Sequence, residues 1–256
     1  MSRSLIASAF FPDKNNARQS DWLAWDWLMW PVLWLLALAI SQLTDIDKAL
    51  ALRFFDTTMK EFPLRNDPLW RETLHESVKH FSIILWVALL AAALRARWQR
   101  NMSRCAPMVF VLISSALAVF INGLLKNQSA HSCPWGLAEF GGSADYFRLL
   151  ATMPANPGAG NCLPSGHASV AFMWWPAVYA CARWRPEWRW PAALLVTTFG
   201  IFCGYVQMAR GAHFLTHILI SAAVCGGIAS IAYHLPTMRS WLRKASLMTA
   251  SQKVRS

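Results

Sequence analysis

Apolar residues in this chain fall in runs that approach the ~17–25 residues needed to cross a bilayer, and short polar segments separate them. Six such runs stand out: Trp27 to Leu43, His80 to Leu94, Cys105 to Leu125, Ala168 to Cys181, Trp190 to Met208 and Phe214 to Leu235. They predict an all-α fold, a polytopic membrane protein whose residues 27–235 form six transmembrane helices in one bundle. Trp22, Trp25, Trp27 and Trp30 form an aromatic belt where the first run begins, and Pro31 sits near its start, where proline is tolerated. The segment from Thr44 to Lys79 mixes charges with two helical patches, Asp47 to Phe55 and Pro68 to Lys79, which read as interfacial. The second run is short, with Lys79 and Arg95 placed to snorkel from its ends.

Composition sharpens this picture. At 55% hydrophobic and 14% charged residues, with 15 Trp, the chain is too apolar for a usual soluble domain, the alternative being a bundle of unusually greasy helices. The net charge of +11 would suggest nucleic acid, but it is concentrated between the apolar runs. Arg95, Arg97, Arg100 and Arg104 follow the second run, Arg183, Arg185 and Arg189 follow the fourth, and Arg239, Arg243, Lys244, Lys253 and Arg255 follow the sixth. Under the positive-inside rule all three clusters are cytoplasmic, so no nucleic-acid partner is expected. Both termini are then cytoplasmic, with residues 1–26 a partly amphipathic leader that lacks the pattern of a cleavable signal peptide and residues 236–256 a basic tail. The loop 126–167 lies outside. The expected location is a bacterial inner membrane crossed several times, with the active site on the periplasmic side; oligomeric state is not legible.

This sidedness brings Lys126, His167, Arg210 and His213, from three separate regions, to one membrane face. Around His167, the stretch Pro164-Ser165-Gly166-His167 is a small-residue turn opening an apolar helix, where unpaired backbone N–H groups attract an anion such as phosphate. Phosphoester cleavage through a covalent intermediate needs cations for the phosphoryl oxygens, a nucleophile and an acid for the leaving alkoxide. Lys126 and Arg210 are candidate cations, His167 and His213 are candidate acid and nucleophile, and Ser165 and Gly166 complete the cradle.

These residues resemble a known family. Pro164-Ser165-Gly166-His167, followed by Gly211-Ala212-His213-Phe214-Leu215-Thr216, is similar to motifs of the type 2 phosphatidic acid phosphatase superfamily, integral-membrane lipid phosphate phosphatases; Lys126 with Cys133-Pro134 resembles its first motif. The resemblance runs from Lys126 to about Ser221. It implies a metal-independent enzyme, without cofactor, in which the histidine matching His213 attacks phosphorus, the one matching His167 protonates the leaving group, and Lys126, Ser165 and Gly166 hold the phosphate. Three positions depart from the family pattern: Cys133 and Gln207 stand where arginines are usual, and His217 stands where an aspartate follows the nucleophile by one turn. Arg210 is then the candidate replacement cation, His217 the residue that orients His213, and Glu139 or Asp145 the candidate for the missing charge.

The expected substrate is a phosphate or pyrophosphate monoester of a lipid, such as undecaprenyl pyrophosphate, phosphatidate, phosphatidylglycerol phosphate or a lipid A phosphate. A lipid phosphotransferase and a non-catalytic lipid-binding or transport protein are the alternatives. His131, His167, His213 and His217 could instead gather zinc, but the sequence has neither the Glu of the usual metalloprotease pattern nor an Asp-rich cluster. His131 reads as a loop residue, and His75, His80 and His234 as interfacial. Cys133 and Cys162 share the outer loop, where an oxidising exterior favours a disulfide between them. Most tryptophans read as belt and packing residues; Trp135, directly after Cys133-Pro134, is the exception.

Overall fold

A computed structural model describes residues 26–253, without the side chains of 73–75, 102–103 and 236–253. The predicted leader therefore lies outside the described residues except for Asp26, as do residues 254–256. Among the described residues the chain is all-helical, with no strands. Its helices are α1 (Asp26–Leu43), α2 (Ile46–Leu52), α3 (Ser77–Trp98), α4 (Met102–Gln128), α5 (Gly166–Phe172), α6 (Trp175–Trp184), α7 (Arg189–Ala209) and α8 (Leu215–Lys253). A π-helical stretch, Leu69–Glu76, runs directly into α3.

Among the described residues five helical stretches are long and apolar enough to cross a membrane: Asp26–Leu43, Leu69–Trp98, Arg104–Gln128, Pro186–Ala209 and Leu215–Leu235. The second outruns the predicted His80 to Leu94 at both ends. Arg95 and Arg97 end the hydropathy signal there but are good helix formers, so α3 continues through them. The predicted fourth span is divided into α5 and α6 at Met173-Trp174. Pro176 is the cause: it has no N–H to offer the Phe172 carbonyl, and its ring crowds that carbonyl.

α8 is the centre of the bundle, with 67% of its apolar window buried, whereas the α3 stretch is mostly exposed. Exposed large apolar side chains such as Leu35, Ile84, Ile113 and Leu195 point outward from the long helices, as hydrocarbon requires. Close packing rests on small residues. A Cβ on Gly226 of α8 would come within 2.2 Å of the Trp30 ring of α1, and one on Gly200 of α7 within 2.2 Å of Phe172 in α5. At the end of α1 that carries Asp26, this buried carboxylate accepts hydrogen bonds from the Tyr179 hydroxyl and Ser230 Oγ, and pairs with His234 Nε2 at 2.9 Å. That polar knot joins α1, α6 and α8 at the end of α1 away from the loop that follows α4.

The long loop after α4 has its own small aromatic core of Phe62, Leu137, Phe140 and Phe214, with Phe55 and Tyr146 packed against it. Arg148 fastens the loop to α1: its Nη1 donates to the carbonyls of Ser41 at 2.8 Å and Gln42 at 2.6 Å, which the helix end leaves unpaired. α2, one of the predicted interfacial patches, is thereby folded over the loop end of the bundle, where Lys48 pairs with Glu139 at 2.6 Å.

Candidate functional site

The loop that carries His213 is shaped by a helix ending. α7 stops at Ala209, and Gly211 adopts a left-handed φ of 68°. The Ala212 N–H bonds the Gln207 carbonyl at 2.9 Å and the Gly211 N–H bonds that of Met208 at 2.9 Å, which together form a Schellman cap. Any side chain at 211 would also strike Phe62, whose ring lies 2.4 Å from the Cβ position. The cap turns the chain so that His213 is buried just before α8 begins. Gln207, found where the resemblance expects arginine, contributes its backbone carbonyl here and is itself buried.

The opposite wall is the start of α5. Ser165 is its N-cap, with Oγ accepting from the Ala168 N–H at 3.3 Å. Its backbone is held on three sides: its N–H donates to the His217 carbonyl at 3.2 Å, and its carbonyl accepts from Ser221 Oγ at 2.8 Å and Asn122 Nδ2 at 3.3 Å. Asn122 lies one turn before Lys126 on α4. Lys126 stretches across this wall: a Cβ on Gly166 would lie 3.7 Å from its Cδ and Cε, and its Nζ donates to the Asn161 carbonyl. The stem of this long cation therefore lies directly over the helix start, at ordinary contact distance from position 166.

Cys133 and Cys162 form a disulfide, with Cα atoms 5.2 Å apart. Two backbone bonds, Asn161 N–H to Ser129 O at 2.7 Å and Cys162 N–H to His131 O at 3.1 Å, hold the same two segments together. The Cys162 sulfur also lies 2.9 Å from the Ala212 carbonyl oxygen and 3.4 Å from His213 Nδ1, so the disulfide ties the first motif to the third just ahead of the second in sequence. The bridge spans a sequence separation of 29, which on the chain-entropy model contributes roughly 3–4 kcal/mol. Dithiothreitol, or replacement of both cysteines by serine, is expected to lower the thermal midpoint of the detergent-purified protein by several degrees, and an unchanged midpoint would refute that contribution.

His213 and His217 lie one turn apart, Nδ1 to Nδ1 at 3.5 Å, with ring planes at 70°. Burial holds His213 well below the usual imidazole range, and the charges of His217, Lys126 and His167 push the same way, against an opposing hydrogen bond that the imidazole donates to the Cys162 backbone carbonyl. The ring is neutral at pH 7, the form a nucleophile needs. Cys162, His213 and His217 offer ligand atoms within 4.8 Å of one another, but the Cys162 sulfur is bound in the disulfide and supplies no thiolate. Two imidazoles remain in that cluster, fewer than the three protein ligands of a catalytic zinc site.

The structure thus gathers Lys126, Ser165, Gly166, His213 and His217, with His167 near enough for its charge to act on His213. Arg210 is arranged differently: its Nε and Nη2 donate to the Arg65 carbonyl at 3.3 and 3.1 Å. Of the two acids considered for the missing charge, Glu139 is engaged by Lys48, and Asp145 is exposed. Trp135 lies under the Arg65 guanidinium, 4.5 Å from it, and its N–H bonds the Gly211 carbonyl at 3.0 Å, so it braces the His213 loop.

Besides Asn122 and Ser221, a third residue has no counterpart in the sequence motifs. Asp47 of α2 is buried and caps α8 from outside: Oδ1 accepts from the Thr216 N–H at 3.1 Å and Oδ2 from the Thr216 hydroxyl at 2.5 Å. The residue preceding α8, Phe214, has no side chain able to do this. Burial pushes the Asp47 carboxyl up, while its bonds to Thr216 and Leu215 pull it down.

A family model, that of the PAP2 superfamily, matches residues 107–241, more than half of the chain. No curated protein and no solved structure matches it.

Proposed function

We propose that this chain, which belongs to the PAP2 superfamily of phosphatases, releases phosphate from a phosphate or pyrophosphate monoester of a membrane lipid through a phosphohistidine at His213. The family is one of phosphatases acting on phosphate esters, often those of lipids. The observation that carries the finer reading is the junction of Lys126, the capped start of α5 and a buried neutral His213 at one end of a bundle of apolar helices.

In this reading Lys126 and the Ser165-Gly166 turn hold the phosphoryl oxygens, with water-poor surroundings strengthening each contact. His213 Nε2 attacks phosphorus while His167 donates a proton to the leaving oxygen; water then attacks the phosphohistidine with His167 as base. Attack from Nε2 requires the proton of neutral His213 on Nδ1, where the Cys162 backbone carbonyl and His217 Nδ1 are its acceptors. Arg210 shapes the loop through Arg65, with its Nη1 left to reach a phosphate oxygen.

The same reading makes α5 and α6 together the fourth of six crossings of an inner membrane, with both termini cytoplasmic and the site on the outer face. The fall of every arginine-rich turn on one side supports it. The test is phosphate release by the detergent-purified protein from phosphatidate, phosphatidylglycerol phosphate, undecaprenyl pyrophosphate and lipid A, with and without EDTA. Release from at least one lipid at an unchanged rate in EDTA is expected. Loss of all release in the chelator, restored by a divalent cation, would sink the metal-free mechanism.

A further inference from the structure

The chain of hydrogen bonds behind His213 has to end somewhere. If His213 Nδ1 donates to His217 Nδ1, neutral His217 carries its own proton on Nε2, and that N–H has either the Cys162 backbone carbonyl or a group across the adjoining cavity as acceptor. His217 is buried and borders a small polar cavity of about 10 Å³, room for the centre of one water, which Asp47, His131, Asp145, Tyr146 and Thr216 also line. Two carboxylates face it, and they differ. Asp145 is exposed, whereas Asp47 is 4% exposed and fixed by both bonds to Thr216, the residue next to His217.

Resting on the phosphohistidine reading above, we infer that Asp47 is a positioning residue for the nucleophile: through one water in this cavity it accepts the His217 Nε2 proton, and so fixes the tautomers of His217 and His213. The water has partners enough to stay, since the Asp47 carboxylate, His217 and the Tyr146 phenol, whose proton burial keeps on up to about pH 12, all border it. The carboxylate thus does two things at the start of α8. It caps the helix, and it orients the histidine pair that the helix carries.

These two roles separate by substitution. Asp47→Asn keeps an oxygen for the Thr216 N–H but removes the charge and one acceptor oxygen, so the cap survives and the relay does not. With dioctanoyl phosphatidate and with p-nitrophenyl phosphate, kcat is expected to fall at least about 10-fold with KM and thermal midpoint little changed, as for a tautomer-fixing carboxylate acting at one remove. Asp145→Asn should leave kcat as it is. His217→Asp places a carboxylate one turn from His213, in direct reach of Nδ1, so in that background Asp47→Asn should cost less than about 2-fold.

Wild-type kcat in Asp47→Asn, or the same loss in the presence and absence of His217→Asp, would overturn the inference while leaving His213 as nucleophile. Activity that survives His213→Ala would instead overturn the phosphohistidine reading. An experimental structure at a resolution that shows ordered water tests the relay without turnover: a water within 3.2 Å of both Asp47 and His217 is expected, and density lacking one overturns it.

Discussion

Replacing His213 by alanine is expected to lower kcat for lipid phosphate hydrolysis by at least about 10³-fold, with KM within a few-fold of the parent value. That loss corresponds to about 4 kcal/mol of transition-state stabilisation. The reason lies in where the ring sits. Held by the Schellman turn and the Cys162 sulfur, it is buried and neutral, and water filling the space left by alanine has neither its basicity nor its fixed position. Phosphate binding draws on Lys126 and the α5 turn, which the substitution leaves in place. Phosphate release and lipid binding measured side by side decide between readings: a chain that only binds or carries lipid would bind as well without His213 and would show no release before the substitution.

How much of this was legible in the sequence differs from element to element. The apolar runs at Trp27, Cys105 and Trp190 give helix bounds close to those observed, since hydropathy and helical geometry report the same stretch there, and the run at Phe214 gives the start of α8, which continues past Leu235 to Lys253. They part company at Arg95, where charge ends the run and not the helix, and at Pro176, where the run continues and the helix breaks. Within the site, Ser165 and His213 were visible because each is tied to a local turn, a Ser cap before a helix and a Gly after one. Asn122, Ser221 and Asp47 were not, because each acts across more than 40 residues of chain, on a backbone group no periodicity can point to. Arg210 shows the limit from the other side. Its spacing to His213 suggested a phosphate cation, and no spacing could show that two of its donors bond the Arg65 carbonyl, 145 residues away in sequence.

His167→Ala is expected to act selectively, and the selectivity carries the information. An alkyl phosphate leaves as an alkoxide, a strong base that needs a proton as the bond to phosphorus breaks; p-nitrophenolate leaves without one. If His167 is the acid, its loss should cost about 10²–10⁴-fold in kcat with dioctanoyl phosphatidate and less than about 10-fold with p-nitrophenyl phosphate. Equal losses on both would mean that His167 holds phosphate and donates no proton. Its position fits the acid role: it follows Gly166 in the first turn of α5, beside the stem of Lys126, and its charge acts on His213. The same variant also sorts substrates. A lipid pyrophosphate departs as a phosphomonoester, a far weaker base than an alkoxide, so its hydrolysis should depend on His167 less than that of phosphatidate. A loss on undecaprenyl pyrophosphate as small as that on p-nitrophenyl phosphate would mean that this lipid's turnover places little demand on the acid, and that the full His167 machinery is matched to a lipid monoester.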